Sequence, residues 1–184
     1  MSIKEVFAVM FACILANNYV LANFMGVEAL ASDLSKSWKS MAFKGLYVTL
    51  TLLICAIEAW IWTYYCTTTV ASALTILVLS ILVLANSMFL GSVFKGLIGK
   101  SSFDIPAALN SVVLGACLIN ANQGYSLLAC IFAGLGVGIG YTLVTFVMAG
   151  LMERINMKYV PKAWRGLPIM VATLAIVSLV IFAF

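Results

Sequence analysis

Asn17-Asn18-Tyr19-Val20-Leu21-Ala22-Asn23-Phe24-Met25-Gly26-Val27-Glu28 decides how this chain can fold. The flanking sequence is that of a lipid-soluble helix, yet this stretch holds three asparagines, a glycine and a glutamate. An unpaired amide in hydrocarbon costs several kcal/mol, and a carboxylate at a helix centre costs about 2.5–3.5 kcal/mol on insertion scales. Such residues must face protein or a polar cavity rather than lipid. A weaker copy follows at Asn110-Ser111-Val112-Val113-Leu114-Gly115, which shares Asn-x-x-Val-Leu and then a small residue.

The composition says what surrounds them. The chain has 184 residues, 65% hydrophobic and 9% charged, with no histidine, and its mean hydropathy is +1.17. A soluble domain would be about 45–50% apolar and about 25% charged, so this is the composition of an integral membrane protein. At about 20 residues per span the length accommodates six or seven helices and no sizeable soluble domain. The alternating pattern of barrel strands is absent, which predicts an all-α bundle. Five cysteines (13, 55, 66, 117 and 130) sit in apolar surroundings without a C-x-x-C and read as small buried hydrophobes. Lacking histidine and a cysteine cluster, the chain alone is not expected to hold a metal. The net charge of +4 belongs to loop lysines, not to a nucleic-acid surface.

Six spans are expected, near 6–27, 41–64, 70–92, 105–120, 125–150 and 166–184. Residues 1–5 make a poor signal-peptide start, so the first span is read as uncleaved. Trp60, Trp62, Tyr64 and Tyr65 mark an exit through a headgroup layer. With six spans, the connections 1–2, 3–4 and 5–6 share one face. That face holds Lys36, Lys39, Lys44, Lys95, Lys100, Arg154, Lys158, Lys162 and Arg165, nine of the ten basic residues, and only Lys4 lies opposite. The positive-inside rule then places both termini outside the cytoplasm of a bacterial or archaeal cytoplasmic membrane. Three spans per half also means that similar halves, about 1–92 and 93–184, would be inverted relative to each other. The Asn-x-x-Val-Leu elements fall in corresponding spans, one and four. Interrupted segments at corresponding positions point to a midplane site.

Asn17, Asn18, Glu28, Asn110, Ser111 and Glu58 are the candidate midplane-site or ion-path residues. Two readings stand for each. Glu28 is an interfacial carboxylate paired with Lys36, or it lies at the inner end of a half-helix and binds a cation or carries a proton. Ser111, with Asn110, makes interhelical hydrogen bonds or faces Glu28 across a pseudo-twofold axis, and the same pair of readings covers Asn17 and Asn18. Glu58, just inside Trp60, is an interfacial acid or part of an ion path. Gly134, Gly136, Gly138 and Gly140 follow no strand and lie mid-membrane, so they are not a dinucleotide loop. Their spacing of four predicts small-residue packing seams.

Asn17-Asn18-Tyr19-Val20-Leu21 with Phe24-Met25-Gly26 resembles the first span of the RnfA/NqrE membrane subunits of Rnf and Na+-translocating NADH:quinone oxidoreductase complexes. Asn110-x-x-Val113-Leu114-Gly115, Gly138-x-Gly140-Tyr141, Glu153-Arg154, Val160-Pro161 and Arg165-Gly166 continue the resemblance in order. It implies six helices in two inverted three-helix repeats, with broken first and fourth helices. It also implies a paralogous partner of inverted topology and flavin and iron–sulfur partners, within a complex that couples electron transfer to Na+ or H+ movement. A [2Fe-2S] cluster near the midplane, shared with that paralogue, belongs to the same expectation. In the family, one ligand cysteine comes from each broken helix. This chain has Glu28 and Ser111 at those positions, and Asn86-Ser87-Met88 where the family carries an acid late in span three. The fold carries over with the resemblance; a cluster here would have to rest on partner ligands or on unusual ligation by Glu28 and Ser111. The alternative is a cluster-free transporter, channel or assembly protein on the same scaffold, as a homodimer.

Overall fold

The computed structural model describes residues 3–33, 38–66, 69–98, 111–156 and 158–183. Among the described residues there are eight α-helices and no strand: α1 (Ile3–Ile14), α2 (Tyr19–Asn23), α3 (Val27–Asp33), α4 (Trp38–Tyr65), α5 (Thr69–Ile98), α6 (Ser111–Gln123), α7 (Leu127–Arg154) and α8 (Leu167–Phe182). A 3-10 turn at Lys162–Trp164 leads into α8. Among the described residues, three segments have the length and composition to cross a bilayer unaided, namely Met41–Tyr65, Leu74–Phe94 and Leu127–Arg154, and Leu167–Phe182 is a shorter apolar helix. The expected first span, 6–27, is not one rod but α1, α2 and the first residue of α3. The fourth emerges as α6, starting at Ser111; Asn110 and the rest of 101–110 lie outside the described residues.

Helix α7 forms the centre, packed against α1 on one side and α4 on another. Four of its glycines allow both approaches, because a side chain at Gly134, Gly136, Gly138 or Gly140 would meet a neighbour. A methyl group at Gly136 would lie 2.5 Å from the Met10 carbonyl oxygen, and one at Gly140 would lie 2.7 Å from Asn18 Nδ2, so this pair faces α1 and the break beyond it. Gly134 and Gly138 face α4 instead, against Leu52 and Thr49. The seam with α4 is reciprocal. Gly138 receives Thr49 of α4, and Gly45 of α4 receives Thr142 of α7. Each threonine also donates its hydroxyl to the carbonyl of the glycine four residues earlier, Thr49 to Gly45 at 2.7 Å and Thr142 to Gly138 at 2.8 Å. Gly45 to Gly138 and Thr49 to Thr142 are both steps of 93 residues, the same step that separates Asn17 from Asn110.

The outer helices follow. Helix α5 packs on α4 and α6, while α8 packs on α7 and α2. Tyr47 of α4 donates its hydroxyl to the Ser87 carbonyl of α5 at 2.7 Å, and Trp62 Nε1 donates to Thr75 Oγ1 at 3.1 Å. Lys44, grouped with the loop charges by sequence, lies inside α4 with its side chain buried.

Candidate functional site

Helix α1 stops at Ile14 although neither proline nor glycine follows it closely. The cause is Asn18. Its Nδ2 donates to the Ile14 carbonyl at 3.0 Å, taking the acceptor that a continuing helix would offer to its own backbone. Its Oδ1 accepts from the Val20 and Leu21 amides at 3.0 and 3.4 Å, as the N-cap of α2. One buried side chain thus closes one helix and opens the next. Asn17, exposed, tightens the step with its amide on the Ala12 carbonyl at 2.6 Å.

Helix α2 runs for only five residues before the chain breaks again. Phe24 takes the left-handed conformation (φ 53) and Gly26 follows at φ 78. Glycine adopts this conformation readily and phenylalanine does not, so the second break needs compensating contacts. The Met25 amide returns to the Tyr19 carbonyl at 3.2 Å. Ser178 of α8 donates its hydroxyl to the Leu21 carbonyl at 2.9 Å. The Gly26 amide donates to Ser111 Oγ at 2.7 Å. Each bond satisfies a backbone group that a helix end leaves without an internal partner.

The last of these bonds brings the two interrupted segments together. Ser111 opens α6, and its amide donates to Glu28 Oε1 at 2.8 Å. Ser111 therefore gives both of its polar groups to the first break: its hydroxyl accepts from Gly26 and its amide binds Glu28. The carboxylate lies at the positive end of α6, where the first amides have no intrahelical acceptor. One turn on, the Met25 side chain seats against Gly115. Both Glu28 and Ser111 lie at the surface of the chain. Lys36, the alternative partner for Glu28, is outside the described residues.

A cavity of about 510 Å³ lies beside the break, with Cys13, Asn17, Tyr19, Asn23, Gln123 and Tyr125 among its lining. Its described lining offers amides, phenols and a thiol but no charge. Glu58 stands elsewhere, half-buried between α4 and α5, where Asn86 Nδ2 donates to its Oε2 at 2.6 Å and to the Leu82 carbonyl at 3.0 Å. Sequence reasoning singled out neither Ser178 nor Asn86 as a partner in these bonds. Each is a polar residue in an apolar helix, which flags it without naming the group it meets.

A thiolate-held [2Fe-2S] cluster does not fit these residues. The two positions carry a carboxylate and a hydroxyl, each already accepting a backbone amide, whereas soft sulfur is what selects such a cluster. The five free cysteines do not replace them. Cys13, Cys55, Cys117 and Cys130 are buried as free thiols in the packed bundle. Among the described residues, no three Cys, Asp or Glu side chains converge as a metal site.

The family described as "Rnf-Nqr subunit, membrane protein" matches this chain over residues 6–184. The chain belongs to that family. It is similar to an ion-translocating oxidoreductase complex subunit of Syntrophotalea carbinolica, at 28% identity over 98% of this chain and 96% of that protein. The protein of the same description from Aromatoleum aromaticum is 29% identical over 90% of this chain and 88% of its own length. A Na(+)-translocating ferredoxin:NAD(+) oxidoreductase complex subunit of Acetobacterium woodii is 28% identical, covering 96% and 94%. Family membership and the long apolar helices together make this Rnf-Nqr protein a multi-pass membrane protein.

Proposed function

We propose that this chain is a membrane subunit of an Rnf- or Nqr-type ion-translocating oxidoreductase complex, supplying half of a midplane site completed by a paralogue of inverted topology. The observation that carries the reading is the family match over residues 6–184, with relatives from such complexes covered nearly end to end. In this reading the chain crosses the membrane six times as two inverted repeats, about 1–92 and 93–184. Three features support the inversion. Packing partners exchange in pairs: α1 lies on α7 as α6 lies on α4, and α5 lies on α4 as α8 lies on α7. The Gly45/Thr49 and Gly138/Thr142 contacts are mutual. The polar interruptions of the two halves share the Glu28–Ser111 contact. The distribution of basic residues supports a cytoplasmic face at Lys36, Lys95 and Arg154, with both termini opposite.

Asn17, Asn18, Glu28, Asn110 and Ser111 form the half-site in this reading, and the uncharged cavity beside it, which Asn17 lines, faces the paralogue. Exposed amides such as Asn17 and Asn23 are costly against lipid, which favours a protein neighbour over that surface. Glu58 belongs to a second polar position, on the ion path.

A second reading is favoured by one observation, the carboxylate and hydroxyl where the family places thiols: a cluster-free transporter, channel or assembly protein, working as a homodimer on the same scaffold. Affinity purification of the tagged chain from its native membrane separates the two. The first reading expects a second Rnf-Nqr family member together with flavin-bearing and iron–sulfur subunits. Recovery of the chain with only its own copies overturns that reading and selects the second.

A further inference from the structure

We propose that Glu28 and Ser111 form a metal-free clasp that fastens the first-helix break to the start of α6, and that this chain ligates no iron–sulfur cluster. Each of the two side chains is already engaged through one oxygen. Ser111 Oγ accepts the Gly26 amide at 2.7 Å, and Glu28 Oε1 accepts the Ser111 amide at 2.8 Å. Ligation through either oxygen would compete with a bond to an amide that the broken backbone cannot satisfy within its own helix. The serine hydroxyl is a hard, neutral donor, unlike the thiolates that hold such clusters.

The surrounding packing points the same way. Met25, one residue before Gly26, fills the space against Gly115 of α6, where even a methyl group would collide with its sulfur. The junction is therefore closed by side-chain packing on one turn and by two hydrogen bonds on the next. It joins positions 83 and 85 residues apart in sequence. A metal is not needed to hold these segments together, because the clasp does that with the chain's own donors and acceptors. The inference concerns the junction itself and stands apart from which partners the chain meets.

The test uses the protein purified from its native membrane with whatever partners accompany it, as wild type and as Glu28→Gln, Glu28→Ala and Ser111→Ala. Iron and acid-labile sulfide per chain and the EPR spectrum after dithionite reduction are read together with thermal unfolding of this chain. The expected result is iron, sulfide and EPR signal the same in all four proteins. The melting temperature should fall by about 2–4 °C or more in Glu28→Ala and Ser111→Ala, while Glu28→Gln, whose amide oxygen still accepts from Ser111, stays close to wild type. Loss of iron or an altered EPR signal in Glu28→Gln or Ser111→Ala overturns the proposal. If the variants fail to assemble, wild-type protein from iron-starved and iron-replete cells decides: equal melting temperatures support the clasp, and a lower value after starvation that iron reconstitution restores overturns it. Absence of iron–sulfur partners would remove the complex as a reading and leave the melting comparison intact.

Discussion

Helices α5 and α7 are close to twins by length and hydropathy, at 30 and 28 residues, both long and apolar enough to cross a bilayer. In the bundle they are opposites. In its apolar window 17% of α5 is buried, against 56% of α7. Ile76, Leu77, Ile81, Met88 and Phe89 of α5 point outward, whereas α7 buries Gly134, Gly136, Gly138 and Gly140 against two neighbours. Lipid tails are as apolar as leucine, so apolarity does not draw helices together in a membrane; close fit and interhelical hydrogen bonds do. Hydropathy therefore sorts residues into spans, and the small residues decide which span becomes the centre.

The sharpest way to break this contrast is to fill an α7 glycine. Gly136→Leu must displace the backbone of α1 at Met10, and its cost should reach or exceed the roughly 3 kcal/mol upper range for overpacking, read as a lower unfolding midpoint in mixed micelles. A wild-type midpoint would mean that the glycines do not set the burial of α7. Next is Asn18→Ala, which removes the cap packed on Gly140 and frees the Ile14 carbonyl. A loss of about 1–2 kcal/mol is expected, with faster hydrogen exchange at Val20 and Leu21; exchange unchanged at those amides would show that α2 does not depend on this cap. The smallest effects belong to Gly91→Ala on α5 and Gly150→Ala near the end of α7. A methyl at Gly91 meets only Tyr47 Oη at 3.8 Å, and one at Gly150 meets nothing within 4 Å. Both should fall within about 0.5 kcal/mol of wild type or gain slightly from helix propensity. Destabilisation of Gly150→Ala comparable to that at Gly136 would show that any glycine on α7 matters, whatever its neighbour.

Some of this was legible in the residues. Asparagines, a glycine and a glutamate inside an apolar run mark an interruption wherever they occur, and the structure has breaks at Asn18 and again at Phe24–Gly26. The partners were not legible. Ser80 and Ser178 are both serines set in apolar runs of their helices. Ser80 bonds its own helix at the Ile76 carbonyl, 2.6 Å away, while Ser178 reaches across to the Leu21 carbonyl. Nothing local tells them apart, because the choice depends on whether another helix presents a free carbonyl. Lys44 is the converse case: its charge suggested a loop, yet α4 begins at Trp38 and carries it into the bundle.

The residues by themselves determined that this protein is a helical membrane protein of the Rnf-Nqr family, where its apolar chain is interrupted, and that Glu28 and Ser111 stand at the interruptions. Those properties follow from composition, order and the cost of bare polar groups in hydrocarbon. Tertiary structure alone decided that α7 is central and α5 peripheral, that Ser178 closes the second break, and that Ser111 is bound by both its hydroxyl and its amide. Each depends on the distance between groups far apart in sequence, which only the packed bundle sets.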